Sequence, residues 1–268
     1  MNQQQWLATH PYLKPVGELH AAVDVAASQL SVPTIAIPRF ENYLPDYQAG
    51  VPLLQSDTVD FDFAPVGSLL TALTENLRSV HLPGNLADEC RTLAASLQRD
   101  DSLALVQLSD VNLISKPTQG LLRFLGWTVL EMYLRPALGA FAKWRDQDFW
   151  FRAYCPTCGS VPAMAQLVSI DEGRARYLSC GCCRALWLYH RRGCPFCGEE
   201  DDHRLGSMSF DRESGIRIDY CSNCGSYLKT CSGEGATSAM LSDWSSVHLD
   251  VLARDRGFKR PAASLYEI

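Results

Sequence analysis

The sequence lacks several features that would each assign it to a class of protein. Its 268 residues contain no G-x-S-x-G, P-loop or H-E-x-x-H motif, so neither hydrolysis nor phosphoryl transfer has a visible set of catalytic residues. The most apolar stretch, residues 120–142, is interrupted by a proline and three charged side chains: Arg123, Glu131, Arg135 and Pro136. We therefore expect no stable membrane insertion. The first six residues resemble no secretory signal, which predicts a cytoplasmic protein.

Positive charge is also scarce. The formal net charge is −6, and only two lysines, Lys229 and Lys259, occur after residue 150. Proteins that bind DNA or RNA present a broad basic surface to the phosphates. The sequence therefore predicts no nucleic-acid partner.

Cysteine, by contrast, is abundant and regularly spaced. The second half of the chain contains four Cys-x-x-Cys pairs: Cys155/Cys158, Cys180/Cys183, Cys194/Cys197 and Cys221/Cys224. Two such turns supply four thiolates, which form a tetrahedral site for one metal ion. The pairs are separated by 21, 10 and 23 residues, and the long intervals slightly exceed the roughly 15–20 residues of a zinc ribbon. The eight cysteines thus predict two closed metal sites and no catalytic residues.

The residues that follow the cysteines support this interpretation. Glycine comes directly after three of the pairs, at Gly159, Gly198 and Gly225, where it can adopt positive φ at a tight turn. The second pair is different, since it is followed by Arg184 and encloses an extra thiol, Cys182. Cys182 could replace Cys183 as a ligand. Pairing of the first knuckle with the second and the third with the fourth is favoured, but a cross-braced pairing uses the same ligands.

Two other uses of clustered cysteines are less favoured. A disulfide framework requires an oxidising compartment, for which the sequence gives no signal. A thioredoxin-like redox pair requires a surrounding βαβ pattern, and none of the four pairs has one. Metal binding is the better explanation.

The periodicity of apolar residues predicts a helical first part and short strands between the knuckles. Predicted helices cover residues 16–30, 65–80, 85–98, 102–113, 119–144, with a kink or break at Pro136, and 240–256. Predicted strands cover residues 174–179, 186–190 and 216–220. The fold class is therefore multidomain α+β, and the first boundary falls near residue 154, before the first cysteine pair.

Several further residues have a structural and a functional explanation. His190 and His203 could each replace a cysteine ligand, but eight cysteines already fill two sites, so exposed polar side chains are favoured. Cys231 could be reactive, although burial is the more common state of a free cysteine. Cys90 lies on the apolar face of a predicted helix and is expected in the core.

Taken in order along the chain, six segments resemble the FdhE family, the accessory proteins of formate dehydrogenase. They are Tyr47–Leu54, Cys155–Ser160 with Pro162, Arg176–Cys180 with Cys183 and Trp187, Arg192–Gly198, Tyr220–Thr230, and Leu249–Gly257. Each segment alone is a weak signal, whereas six in the right order are specific.

This resemblance implies a helical domain over residues 1–152, followed by two rubredoxin-like or zinc-ribbon-like metal domains over residues 153–192 and 193–268, the second with a C-terminal helix. It also implies iron as the preferred metal, with zinc possible. The implied role is that of a non-enzymatic factor, a chaperone in the broad sense, which binds the catalytic subunit of formate dehydrogenase and is needed for its activity. We expect residues 227–230 to be exposed and to contact that partner. The alternative is a rubredoxin-like electron-transfer protein that acts on a client enzyme.

Overall fold

The computed structural model describes residues 3–80, 82, 88, 116–171, 173–210, 213, 215–232 and 243–263. The helices predicted at 85–98 and 102–113, and the core position of Cys90, lie outside these residues. The described residues divide into two compact units. One contains residues 3–6, 39–59 and 143–263, and the other contains residues 7–38 and 60–142, with the gaps given above.

Six α-helices and three short 3-10 helices are described. The α-helices are α1 (Gln3–Thr9), α2 (Lys14–Ser28), α3 (Leu44–Ala49), α4 (Ala64–Leu77), α5 (Lys116–Trp144) and α6 (Val247–Asp255). The 3-10 helices are Pro11–Leu13, Leu53–Gln55 and Asp243–Ser246. In the described ranges no helix is both long enough and apolar enough to span a membrane.

The helical unit is built on apolar faces of the kind that the sequence predicts. Helices α2 and α4 pack together, and the Asn76 side chain donates to the Ala26 carbonyl at 3.1 Å. Tyr133 of α5 donates its hydroxyl to the Asp62 carbonyl at 2.7 Å. Helix α5 continues through Pro136, so of the kink or break predicted there the break is wrong and the kink stays a prediction. A proline removes one backbone donor and can be accommodated when the rest of a long helix is well packed.

A single six-stranded sheet contains the strands that connect the knuckles. Its strands are β1 (Pro162–Ile170), β2 (Gly173–Cys180), β3 (Leu186–Tyr189), β4 (Leu205–Ser209), β5 (Ile216–Cys221) and β6 (Ser226–Ser232). The order is β3-β2-β1-β6-β5-β4. Strands β1 and β6 are parallel, from Met164 opposite Lys229 to Leu167 opposite Ser232, and the other neighbours are antiparallel. The sheet is therefore mixed, and the α+β class is confirmed.

The sheet consists of two ribbons with the same chain order. In each ribbon a knuckle leads to a hairpin, the second strand of the hairpin runs into the next knuckle, and a third strand follows it. The parallel pairing of β1 with β6 joins the two ribbons edge to edge. The domain boundaries at residues 152 and 192 stay predictions.

The expectation that residues 227–230 are exposed is wrong. Tyr227, Leu228, Lys229 and Thr230 expose at most 3% of their surface. They belong to β6, which lies in the centre of the sheet between β1 and β5. A central strand that is covered on both faces buries successive side chains instead of alternate ones. This segment cannot be the surface that meets a partner.

Helix α6 covers one face of the sheet. Leu249 and Ala253 pack in a core with Ile216, Ile218 and Cys231. Cys231 is fully buried, and burial raises the pKa of its thiol to about 11. The preferred structural role of Cys231 is therefore confirmed.

Candidate metal centres

The structure brings the eight cysteines together as two groups of four. The first group is Cys155, Cys158, Cys180 and Cys183, and the second is Cys194, Cys197, Cys221 and Cys224. Within each group all the sulfurs lie within 4.8 Å of one another. This geometry confirms the pairing of the first knuckle with the second and of the third with the fourth, and it excludes the cross-braced arrangement.

The sulfur separations suit a tetrahedral metal site. A metal–sulfur distance of about 2.3 Å places the sulfurs of a regular tetrahedron roughly 3.8 Å apart. Cys155 and Cys183 are 3.4 Å apart, as are Cys158 and Cys180. In the second group, Cys194 and Cys224 are 3.7 Å apart, and Cys197 and Cys221 are 3.8 Å apart. A disulfide would require about 2.05 Å, so these are cages of separate thiols.

Each knuckle is a tight turn that directs backbone N–H groups at sulfur. Thr157 donates to the Cys155 sulfur at 3.4 Å, and Phe196 donates to the Cys194 sulfur at the same distance. The glycines that follow the pairs have positive φ, +79° at Gly159 and +68° at Gly225. Hydrogen bonds of this kind orient the ligands and offset the charge of the thiolates.

Arg184 shows how the second knuckle closes without a glycine. Its φ is 57°, which makes it the one non-glycine residue with positive φ in the described part of the chain. A left-handed conformation costs a side-chain-bearing residue about 1–2 kcal/mol. The knuckle thus keeps the common turn despite its sequence, and Cys183, not Cys182, joins the cage. Cys182 is buried next to it, and its hydrogen bond with Cys158 raises the pKa of the Cys182 thiol.

The two cages differ in their exposure to solvent. Cys155, Cys180 and Cys183 of the first cage expose no more than 2% of their surface, whereas Cys197 of the second is exposed. Contact with the Cys155 thiol raises the pKa of both Cys180 and Cys183, and burial raises the pKa of Cys194. Crowded buried thiols of this kind favour a bound cation, which stabilises the thiolate form.

The loop after α3 supports the first cage. Leu53 donates its N–H to the Pro156 carbonyl at 2.9 Å, and Leu54 donates to the Thr157 carbonyl at 2.8 Å. The side chain of Gln55 donates to the Cys158 carbonyl at 3.1 Å. The upstream Tyr47–Leu54 segment therefore lies against the first knuckle. Sequence spacing gave no indication of this contact, because about a hundred residues separate its two sides.

Two buried arginines near the cages were not anticipated. Arg145 donates from Nη2 to the Leu186 carbonyl. Burial lowers the pKa of Arg145 below its ordinary value, although Tyr47, Cys155 and Cys183 act in the opposite direction. Arg176 donates from Nη1 to the Gly193 carbonyl at 2.9 Å, next to the third knuckle. A signal for Arg176 exists in the sequence, since it alternates with Leu178 and Cys180 on the buried face of β2. His190 and His203 are exposed and belong to neither cage.

Comparison with known proteins finds relatives named FdhE, the family that six segments of the sequence resemble. Residues 154–191, which contain the whole first cage, match a family model described as the central domain of FdhE. An FdhE homologue from Aquifex aeolicus is 34% identical over 169 residues, 61% of this chain and 57% of that protein. Protein FdhE of Salmonella paratyphi A is 30% identical over 138 residues, 50% of this chain and 44% of that protein.

A solved structure shares the fold along nearly the whole chain. The crystal structure of the FdhE protein from Pseudomonas aeruginosa superimposes with a TM-score of 0.61 at 19% identity, over 95% of this chain and 88% of that one. The sequence alignments span about half the length of the curated relatives. The resemblance inferred from the six segments is confirmed: the chain is similar to FdhE proteins in sequence and shares the fold of one of them.

Proposed function

We propose that this protein is an accessory factor that binds the catalytic subunit of a formate dehydrogenase and is needed for its activity. The observation that carries the proposal is the pair of four-cysteine cages on one sheet, in a chain that resembles the FdhE family. The proposed location is the cytoplasm, and the negative net charge of −6 favours a protein partner over a nucleic acid.

The eight cysteines are the proposed ligands of two metal ions, with iron preferred and zinc possible. An all-thiolate tetrahedron suits either metal, so the preference for iron rests on the family resemblance. We also propose that each cage and its three strands form a rubredoxin-like module, with boundaries at residues 153–192 and 193–268. Metal binding at structural sites of this type contributes about 10–16 kcal/mol, so the ions would hold the two ribbons in shape.

Closed cages favour a non-enzymatic role. Four thiolates complete a tetrahedral site, and a catalytic metal needs an open position for water or substrate. In both cages four sulfurs from the protein already occupy the corners of the tetrahedron. The proposed task of the ribbons is therefore to present a rigid surface to the client.

Metal analysis of protein purified without air tests the ligand set. Cys158→Ser should retain one ion instead of two and should unfold the first ribbon, because Cys158 belongs to the first cage. Cys182→Ser is the matched control from the same ribbon and should retain both ions. Two ions in the Cys158→Ser protein, or one in the Cys182→Ser protein, would show that the assignment is wrong.

Affinity purification tests the partner. The tagged protein should retain the catalytic subunit from cells that produce active formate dehydrogenase, and Cys158→Ser should retain less of it than Cys182→Ser. Complete failure of the metal-loaded protein to retain the subunit would reject the proposed client.

One observation favours electron transfer as a second function. Cys197 of the second cage is exposed, whereas the first cage has three buried cysteines and the partly buried Cys158, so the second site is more accessible to a redox partner. Iron held by four thiolates can change oxidation state without changing ligands. The iron-loaded protein should then be coloured, lose its absorption on reduction and regain it in air. A preparation from anaerobic cells that contains zinc alone would count against this function.

A further inference from the structure

A cavity beside the second cage is lined by four arginines. It has a volume of about 240 Å³, and its lining includes Arg176, Arg191, Arg192 and Arg217 together with Cys194 and Cys221. About 10–15 Å³ of such volume is enough for one water molecule, so a small polyatomic ion fits easily. The net charge of the chain is −6, yet four guanidinium groups surround this one cavity.

Two of these charges are already neutralised. Arg192 pairs with Asp202 at 2.8 Å, and Arg217 pairs with Asp219 at 2.7 Å. Both carboxylates also line the cavity. Asp219 has a second contact, since its other carboxylate oxygen accepts a hydrogen bond from the Thr230 hydroxyl at 2.7 Å.

The other two arginines have no such partner. In the described ranges no carboxylate lies within 4.0 Å of the guanidinium nitrogens of Arg176 or Arg191. Arg176 is 5% exposed, and its Nε is a buried donor without a hydrogen-bond partner among the described residues. A buried donor without an acceptor is costly, and a charged one more so. The cavity thus has two arginines without a paired carboxylate, and one of them has an unused buried donor.

We propose that this cavity is a binding site for an oxyanion, a carboxylate or phosphate group that Arg176 binds at the base and Arg191 binds at the rim. The planar guanidinium group matches both anions through paired N–H donors. The anion could be a free small molecule or belong to acidic side chains of a partner protein. The proposal concerns the cavity alone and does not depend on the identity of the client.

The second cage offers a competing explanation for the arginines. Four thiolates around a divalent ion carry a net charge of −2, and nearby guanidinium groups could serve only to offset it. Arg176, which is buried, could do so: burial lowers its pKa, and Asp219, Tyr189 and Cys194 act in the opposite direction. Arg191 is exposed, and water screens its effect on the cage. Substitution of Arg191 therefore distinguishes the two explanations best, because only anion binding requires this arginine.

Titration of the full-length, zinc-loaded protein with anions distinguishes anion binding from charge compensation of the cage. The probes are inorganic phosphate, succinate, and a short peptide with two adjacent glutamates beside its glutamine counterpart. NMR would follow the Nε–H signal of Arg176, and calorimetry would give the affinity. We expect saturable binding that shifts this signal, weakens with salt and falls roughly tenfold in Arg191→Gln, the loss typical of one charge-assisted hydrogen bond. The control is Arg174→Gln. Arg174 is exposed, lies on β2 like Arg176 and does not line the cavity, so this variant should bind the probes as tightly as the parent protein.

The outcomes assign the source of the anion or reject the site. Binding of phosphate or succinate but not of the peptide indicates a free anion, and preference for the glutamate peptide over its glutamine form indicates a partner protein. Arg176→Gln should abolish binding; if it does not fold, Arg191→Gln still decides. Absence of saturable binding to every probe, or an equal loss in Arg174→Gln, would overturn the proposal. Absent binding with normal folding but weaker zinc retention in Arg176→Gln would assign this arginine to the cage instead.

Discussion

Lys229 is a buried charge whose removal should destabilise the unit that contains the sheet. It exposes 1% of its surface, and its ammonium group lies 2.6 Å from Asp243 and 2.8 Å from Asp250. Arg260 lies 2.9 Å from the same Asp243 carboxylate and 3.3 Å from Asp250. Two cations therefore balance two anions where β6 meets α6 and the 3-10 helix before it. Lys229→Met keeps most of the side-chain volume and removes one of the cations.

The expected cost follows from this balance. Without Lys229, two carboxylates share Arg260, and one buried negative charge is left without a partner. Breaking a buried ion pair from one side typically costs about 3–5 kcal/mol, although replacing all of its members together can be neutral. The Ser246 carbonyl, which accepts from Lys229 at 3.3 Å, also loses a donor. We expect the free energy of unfolding to fall by about 3–5 kcal/mol.

Denaturant unfolding of the metal-loaded protein, followed by circular dichroism at neutral pH, measures this loss. Lys259→Met is the matched control, because Lys259 is the one other lysine after residue 150 and its side chain is exposed. Its contacts with the sheet are made by its backbone, so the change should stay within about 0.5 kcal/mol. If Lys229→Met lost less than the control, the assignment of Lys229 as the essential partner of the two aspartates would be wrong.

The acid limit of stability provides a second measurement on the same network. Burial raises the pKa of Asp243, but Lys229 and Arg260 outweigh it, and the result is a decrease from 3.8 to about 2. A carboxyl with a depressed pKa stabilises the fold above its ordinary pKa, and this contribution is lost as the pH falls from about 4 towards 2. It amounts to roughly 2 kcal/mol. In Lys229→Met the pKa of Asp243 should rise, so acid unfolding should begin at higher pH than in the parent protein.

The remaining predictions concern two glycines. Gly50 has a φ of +87°, and a Cβ there would collide with the Arg152 side chain, so Gly50→Ala should lower the free energy of unfolding by roughly 1–2 kcal/mol through backbone strain. Gly139, inside α5 and five residues before its end, has open space around it, and Gly139→Ala should raise the free energy of unfolding by about 0.5–1 kcal/mol. Thermal or chemical unfolding should show a lower free energy of unfolding for Gly50→Ala and a higher one for Gly139→Ala. A stabilising Gly50→Ala would contradict the strain argument.

The parts of the structure that sequence could predict are those set by neighbouring residues. The knuckles are local turns, since a Cys-x-x-Cys pair with a following glycine specifies both ligands and the backbone that holds them. Strands β2, β3 and β5 were predicted from local β-branched and aromatic composition. Strands β1, β4 and β6 were not predicted; β1 begins at Pro162, and its first half, Ala-Met-Ala, has no strong strand preference.

The parts that could not be predicted depend on contacts between distant segments. The Leu53 and Leu54 N–H groups meet the first knuckle across about a hundred residues, and nothing in either segment specifies the other. Residues 227–230 lie just after the last cysteine pair and were expected to be exposed. Their burial depends on β1 pairing with β6, which covers the edge of the second ribbon with a strand of the first. Sequence period alone cannot distinguish an edge strand from a central one.

The ion pair between Lys229 and Asp250 links two of the segments that resemble the family. Lys229 belongs to the Tyr220–Thr230 segment and Asp250 to Leu249–Gly257, and the two side chains form one buried ion pair. A buried lysine needs a carboxylate, and a buried carboxylate needs a donor, so neither residue can be exchanged alone without cost. Tyr227 ties the same segments together, since it donates its hydroxyl to Asp250 at 2.6 Å. Segments that appear independent in sequence are thus two sides of one electrostatic contact, which fixes α6 on the strand that joins the two ribbons.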